Sequence, residues 1–339
     1  MSAAPRTSVP QGLDEPRPMT LPRLAEKKLR GEPIVMVTAY DYPSAQVAQA
    51  AGVDMVLVGD SGAMTVLGYS STVPVSTDEM LMLAKAARRG LTTPLLVCDL
   101  PFGSYEASDA QAIAIAQRFV KEAGCDAVKL ERGGTSIQRA RAIVEAGIPV
   151  MGHIGLTPQT ATALGGYRAQ GRTAQRALGV ARDAVALQEA GCFSIVFEAI
   201  PATVAAVVTK MLTIPVIGIG AGPATDGQVL VFHDLLGIYD GHAPRFVKRF
   251  AEVREQMVAG VAQYADEVRH GAFPGPEHTY SIDDEELRLF QKELNADPEA
   301  ELHGDRLRGP FPERGPLSRE LGQHADRLLP ELVEPGAAR

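Results

Sequence analysis

QAAGVDMVLVGD, residues 49–60, joins a helix-like run closed by Ala-Gly to a short β-branched stretch that ends in an acid. The pattern returns in KEAGCDAVKLE from 121, VEAGIPVMGHIG from 144 and QEAGCFSIVFE from 188. Glycine at that place suits a left-handed helix C-terminus, and the short apolar run after it suits a strand buried on both faces. The unit is therefore αβ, used repeatedly. The remaining apolar runs bring the candidate strands to eight: PIVMVT at 33, DMVLVG at 54, PLLVCDL at 94, DAVKLE at 126, PVMGHIG at 149, FSIVFEA at 193, PVIGIGAG at 215 and QVLVFHD at 228. Segments of helical period, such as TDEMLMLAKAARRG from 77 and SDAQAIAIAQRFVKEAG from 108, lie between most of them. This alternation predicts an α/β fold with a parallel sheet, and eight strands favour a closed (β/α)8 TIM barrel over an open doubly wound sheet.

The barrel is expected over residues 24–280. Residues 1–23 are expected to be disordered, and 281–339 to be a charged, mostly disordered extension. That last segment carries 14 acidic and 8 basic side chains, and only EELRLFQKELN from 285 has helical character. The chain of 339 residues has 45% hydrophobic and 22% charged residues, an ordinary globular balance. No apolar run approaches the roughly 18 residues that span a bilayer, and no secretory signal can be read, so no membrane partner and a cytoplasmic location are expected. Cys98, Cys125 and Cys192 each sit in or beside an apolar run without C-x-x-C spacing, which points to buried free thiols. A net charge of −8 without a basic block argues against nucleic acid as a partner.

Functional groups of such a barrel collect at the C-terminal ends of its strands. Strand two ends in Asp60 and Ser61, strand three in Asp99, strand four in Lys129 and Glu131, strand five in His153, strand six in Glu198, and strand eight in His233 and Asp234. Strand seven ends in GIGAG, residues 218–222, whose small residues allow close approach of a ligand. Singly, each polar residue has a structural reading. Asp60 and Asp234 can cap helices, Asp99 can bond the Phe102 backbone, Lys129 can fill the barrel as an ion-pair partner, and His153 can be a core histidine. His233 and Asp234 keep that reading.

The central set does not. Two carboxylates about 4 Å apart repel by about 4 kcal/mol at an effective dielectric of about 20, so Asp60, Asp99 and Glu131 on one side of the mouth need a positive charge beyond Lys129. Oxygen ligands suit a hard divalent cation: Mg²⁺ first, with Mn²⁺ or Co²⁺ as alternatives. One or two carboxylates would touch it directly and Glu131 through water. Such a site binds a 2-oxo acid through two oxygens and stabilises the enolate formed from it. Glu198 on strand six is then placed to act as base.

Seven stretches, in order, resemble the ketopantoate hydroxymethyltransferase family: TAYDYPSAQVAQAAGVDMVLVGDS, STVPVSTDEM, CDLPFGSY, VKLERG, GHIGLTPQ, GGYRAQGR and IPVIGIGAGPATDGQVLVFHD. The resemblance covers about residues 24–280. It implies a homo-oligomeric, typically decameric, barrel of the phosphoenolpyruvate/pyruvate superfamily. Its reaction would transfer a one-carbon unit from methylenetetrahydrofolate to 3-methyl-2-oxobutanoate, giving 2-dehydropantoate for pantothenate and coenzyme A synthesis. By motif it implies Asp60 and Asp99 as Mg²⁺ ligands, Glu131 as a third metal-associated carboxylate, Asp60, Ser61, Asp99 and Lys129 as oxo-acid contacts, and Glu198 as proton acceptor. His153 is expected to bond the substrate or orient a neighbour. The GGYRAQGR loop from 165 reads as a lid, a pterin contact or a subunit contact. Gly62 in GDSGAM replaces a residue that is often larger in the family, which predicts a looser loop.

A C–C lyase or mutase of the same superfamily, acting on another 2-oxo acid, is the nearest alternative. Those lyases carry a cysteine on a flexible loop, for which no candidate appears. A non-catalytic barrel is disfavoured by the retained set of mutually repelling carboxylates.

Overall fold

In the computed structural model, residues 17–241 and 244–296 are described. The eight expected strands all form: β1 (Ile34–Thr38), β2 (Met55–Val58), β3 (Leu95–Asp99), β4 (Ala127–Glu131), β5 (Val150–Gly155), β6 (Ser194–Glu198), β7 (Val216–Ile219) and β8 (Gly227–Leu230). They are parallel, each pairs with the next, and β8 pairs with β1 to close the barrel. Helix α1 (Leu21–Arg30) precedes β1, and α2 (Tyr42–Ala50) joins β1 to β2. The short α3 (Gly62–Thr65) and α4 (Thr77–Arg89) follow β2, and α5 (Asp109–Ala123), α6 (Thr135–Glu145), α7 (Ala174–Glu189) and α8 (Ala202–Met211) follow β3, β4, β5 and β6 in turn. No helix separates β7 from β8. A short α9 (Phe232–Leu235) follows β8.

The repeated Ala-Gly signal acts as expected. Gly52, Gly124, Gly147 and Gly191 all take φ between 67° and 93°, turning the chain from a helix end into the next strand. Ser76 and Glu79 close a capping box at the start of α4, and Ser108 caps α5.

The barrel interior is layered by the two-residue period of its strands. Met55, Leu95, Val97, Ala127, Met151 and Val196 form an apolar plug, into which Leu24 of α1 is also packed. Two residues beyond Val97, Ala127, Met151 and Val196 stand Asp99, Lys129, His153 and Glu198, on the same inward face. The second apolar layer, between strands and helices, buries Val56, Val58, Leu96, Cys98, Val128, Leu130, Ile154 and Phe197. All three cysteines are buried free thiols.

Two boundaries differ from the sequence reading. Helix α1 starts at Leu21, inside the segment expected to be disordered, because Thr20 caps it and Met19 N–H donates to Thr93 O. The rest of that segment, residues 1–16, lies outside the described residues. The compact unit that holds the barrel ends at Arg254, whereas the barrel was expected to reach 280, and the described residues from 255 to 296 belong to a second compact unit. In that unit are nearly all of α10 (Val253–His270) and the whole of α11 (Asp284–Ala296), the helix expected from 285. Residues 297–339 of the expected extension lie outside the described residues. No helix among the described residues is long and apolar enough to cross a membrane.

Candidate active site at the barrel mouth

Register brings the polar residues together. Asp99 is opposite Lys129 across β3 and β4, Glu131 is opposite His153 across β4 and β5, and Gly155 is opposite Glu198 across β5 and β6. Lys129 and Glu131, two apart on β4, share the inward face.

The contacts form one network. Lys129 Nζ lies 2.8 Å from Asp99 Oδ1, with both side chains 4% exposed. That approach is an ion pair without hydrogen-bond alignment, so Asp99 Oδ1 is buried with no directional partner. Asp99 Oδ2 instead accepts from the Asp60 backbone N–H at 3.0 Å, which fixes Asp60 beside it. His153 Nδ1 is 3.3 Å from both Glu131 Oε1 and Lys129 Nζ, and its Nε2 is 3.1 Å from Glu198 Oε2. Ser61 Oγ and the Tyr40 hydroxyl share a hydrogen bond of 2.9 Å.

Burial pushes the Asp60 carboxyl well above the usual carboxylate range, and the Asp99 and Glu131 charges add to that against Lys129 and Gln159. Burial also raises Asp99, with Lys129 opposing. For Lys129 burial works against the charge, but Asp99, Glu131 and Asp60 outweigh it and hold the ammonium protonated. Burial and Lys129 would lower His153, yet Glu131 and Glu198 prevail and raise it to about 9. The imidazolium lies in ion-pair range of the two glutamates, its Nε2 buried without an aligned hydrogen bond, and its approach to Lys129 is the repulsive contact they offset. Asp60, Asp99, Glu131 and Glu198 thus face two cations, Lys129 and His153. With all four ionised, two negative charges would be uncompensated, and the raised Asp60 and Asp99 meet that excess by keeping protons.

Among the described residues no three His, Cys, Asp or Glu converge as a ready metal cage. Glu131 is already engaged, with Oε1 beside His153 and Oε2 accepting from Gln159 N–H at 3.1 Å. Asp60 and Asp99 remain as neighbouring oxygen donors.

Two residues of the network escaped the sequence reading. Gln159, in a 3₁₀ turn after β5, donates through Nε2 to Asp60 Oδ2 at 2.9 Å and Leu100 O at 3.0 Å. The Tyr105 hydroxyl donates to Gln159 Oε1 at 2.6 Å. Tyr167 of the GGYRAQGR loop is 59% exposed, with burial and then Asp60, Glu131 and Glu198 raising its phenol. That loop therefore lies over the carboxylates.

Other expectations are corrected by packing. Asp60 is no cap, since α3 has no side-chain cap hydrogen bond, and Asp99 bonds Asp60 rather than Phe102. A Cβ at Gly62 would come within 2.7 Å of the Tyr40 ring, so this glycine tightens the loop. The GIGAG glycines admit the protein's own side chains: a Cβ at Gly220 would meet Phe246 at 2.5 Å, and one at Gly222 would meet Ala202 at 2.4 Å. His233 and Asp234 sit in α9 rather than on a strand end, with the His233 ring tilted at 47° against Tyr40, centroids 5.4 Å apart.

A profile described as ketopantoate hydroxymethyltransferase matches residues 18–276. The chain belongs to that family. It is 56% identical to 3-methyl-2-oxobutanoate hydroxymethyltransferase of Moorella thermoacetica over 262 residues, 77% of this chain and 97% of the relative. Identity to the mitochondrial 3-methyl-2-oxobutanoate hydroxymethyltransferase 1 of Arabidopsis thaliana is 52% over 304 residues, 87% of this chain and 88% of the relative. A crystal structure of phosphonopyruvate hydrolase in complex with oxalate and Mg²⁺ shares the barrel, with a TM-score of 0.51 and 13% identity over 82% of this chain and 97% of that one. For a ketopantoate hydroxymethyltransferase family member, the loop cysteine of the lyase alternative is missing among the described residues: Cys98 is buried within β3, and Cys125 and Cys192 are buried too.

Proposed function

We propose that this chain transfers the one-carbon unit of methylenetetrahydrofolate to 3-methyl-2-oxobutanoate, giving 2-dehydropantoate for pantothenate and coenzyme A synthesis. The observation that carries the reading is the crowding of Asp60, Asp99 and Glu131, which keeps protons on Asp60 and Asp99 when no cation is there, beside an acid, Glu198, that remains partly open to the mouth. Asp60 and Asp99 fit a divalent cation, since Asp99 Oδ1 is buried without a directional partner and Asp60 resists ionisation. Bound there, Mg²⁺, with Mn²⁺ or Co²⁺ as substitutes, supplies a Lewis acid for the keto and carboxylate oxygens of the oxo acid.

The chain's own residues do the rest. Lys129 offsets substrate carboxylate charge, and Ser61, held by Tyr40, contributes a hydroxyl to the same end of the mouth. Glu198 accepts the proton from C3 of the oxo acid, and the carbon so freed bonds to the methylene carbon of the folate; water then supplies the hydroxyl as the bond from that carbon to the folate nitrogen breaks and tetrahydrofolate leaves. His153 positions Glu198 through Nε2 and Glu131 through Nδ1. Glu131 steadies the 159 turn and acts on the cation at one remove. We place the enzyme in the cytoplasm as a homo-oligomer, a decamer by its family. Incubation with the oxo acid, methylenetetrahydrofolate and Mg²⁺ should release tetrahydrofolate and 2-dehydropantoate, and EDTA should stop both. No tetrahydrofolate release with metal present would overturn the reading.

A further inference from the structure

A cavity of about 560 Å³ lies beside the mouth and includes none of the charged residues of the site network. Its walls include Arg132, Gly155, Gln170, Arg176 and Asp183. Arg132 directly follows Glu131, Gly155 lies two residues beyond His153, and Gln170 N–H donates to the carbonyl of Ala199, the residue after Glu198. The cavity therefore abuts the ends of β4, β5 and β6, between those strands and α7. Its volume is within the range of small-molecule sites, about 300–1,000 Å³.

Two observations give it a charge preference. First, Arg132 and Arg176 make no side-chain hydrogen bond or ion pair among the described residues, whereas Arg30, Arg88, Arg118 and Arg139 all pair with acids. The one acid in the wall, Asp183, has its carboxyl against Gly133, and burial raises its pKa, which weakens its claim on either arginine. Second, Arg132 takes φ +80°, a conformation that glycine adopts freely and an L side chain does not. Only one other non-glycine among the described residues does the same, Ala199, and it too follows a site carboxylate. Both arginines are exposed, so in a chain of net charge −8 two guanidinium groups without a side-chain partner stand in one cavity wall, one of them on a strained backbone position, where they can receive an anion.

We propose that this cavity is an anion subsite in which Arg132 and Arg176 receive the glutamate carboxylates of the folate co-substrate while its one-carbon end reaches Glu198. The assignment rests on the proposed function for the identity of the co-substrate. The remainder follows from the cavity, the two free guanidinium groups and their place behind the strand ends.

The test uses Arg132→Gly, Arg176→Gln and the double variant in the full chain. Each single variant should raise the KM for methylenetetrahydrofolate about tenfold, the loss of one charge-assisted contact, with the KM for the oxo acid moving less than twofold. Arg132→Gly should also raise Tm, because glycine relieves the left-handed φ. A higher Tm with an unchanged folate KM would overturn the proposal, since it would leave Arg132 a structural accident. Calorimetry with 4-aminobenzoyl-glutamate, which carries the tail without the pterin, gives a readout that does not need turnover. Wild type should bind it and the double variant should not. Equal binding by both would sink the subsite even if hydroxymethyl transfer is intact, whereas tail binding without transfer would leave the subsite standing and the proposed function wrong.

Discussion

Gln159 Nε2 donates to Asp60 Oδ2 at 2.9 Å, across 99 residues of chain. Through the same side chain it holds Leu100 O and accepts from Tyr105, while its backbone N–H holds Glu131. One residue thus fixes two site carboxylates relative to each other, Asp60 through its side chain and Glu131 through its backbone. Replacing Gln159 with Leu leaves three buried polar groups short of a partner and should cost about 1–3 kcal/mol, read as a Tm lower by about 3–10 °C. Cation affinity should weaken about 10- to 100-fold, as for other groups that orient a ligand from behind. Calorimetric titration with Mg²⁺ checks this, and unchanged affinity would reduce Gln159 to a packing residue.

The contrast between Gln159 and the strand residues shows what the sequence could reveal. Asp99, Lys129, Glu131, His153 and Glu198 were legible because a strand has a fixed period, so a polar residue closing an apolar run must stand at the barrel mouth. Gln159 sits in a 3₁₀ turn within LTPQT, where a polar residue is ordinary and no period says which way it faces. Its partners are 28 to 99 residues away, and only closure of the barrel brings them together. His233 and Asp234 show the reverse error: a continuous apolar run, QVLVF, hid the turn of helix that removes them from the strand end. The boundary at Arg254 was illegible for a related reason, since helical period in α10 does not say to which body the helix belongs.

Protonation should govern the stability of the metal-free chain. His153 is held at about 9, above the ordinary 6.5, so its contribution is complete below about pH 6.5 and is lost as pH rises through 9. Asp60 and Asp99 are also raised, so the fold retains their protons after the unfolded chain has released them, and stability again falls with rising pH, from the ordinary carboxylate range upward. All three slopes have one sign. With EDTA present, Tm should decline from pH 6.5 to 9, His153 accounting for up to about 3 kcal/mol, and His153→Gln should flatten the decline. A flat wild-type profile would contradict the charge assignment.

The same crowding of acids makes opposite predictions for Asp60→Asn with and without a cation. The amide keeps an acceptor for Gln159 and takes away an acid that is costly to bury, so metal-free Asp60→Asn should melt about 1–4 °C higher than wild type near neutral pH. Saturating Mg²⁺, at about 100 times its Kd, should stabilise wild type by about 2.7 kcal/mol, or about 5–10 °C, and should not move the variant. Thermal scans with and without Mg²⁺ read both effects. An equal Mg²⁺ shift in the two proteins would place the cation elsewhere.

Glu198 is the carboxylate of the set that a substrate can reach. Its side chain is 14% exposed, against 4% for Asp99 and 2% for Glu131, and His153 Nε2 stands 3.1 Å from it. A group that takes a proton from C3 of the oxo acid should do so without the folate. Exchange of that proton in D₂O, followed by NMR with oxo acid and Mg²⁺ alone, therefore isolates the step. Glu198→Gln should slow exchange by about 100-fold or more, the usual loss when a positioned base is removed, while the calorimetric Kd for the oxo acid stays within about threefold. Exchange at the wild-type rate would exclude Glu198 as the base. Loss of oxo-acid binding together with exchange would make it a substrate contact instead, because a base that only meets the proton in the transition state leaves ground-state affinity intact.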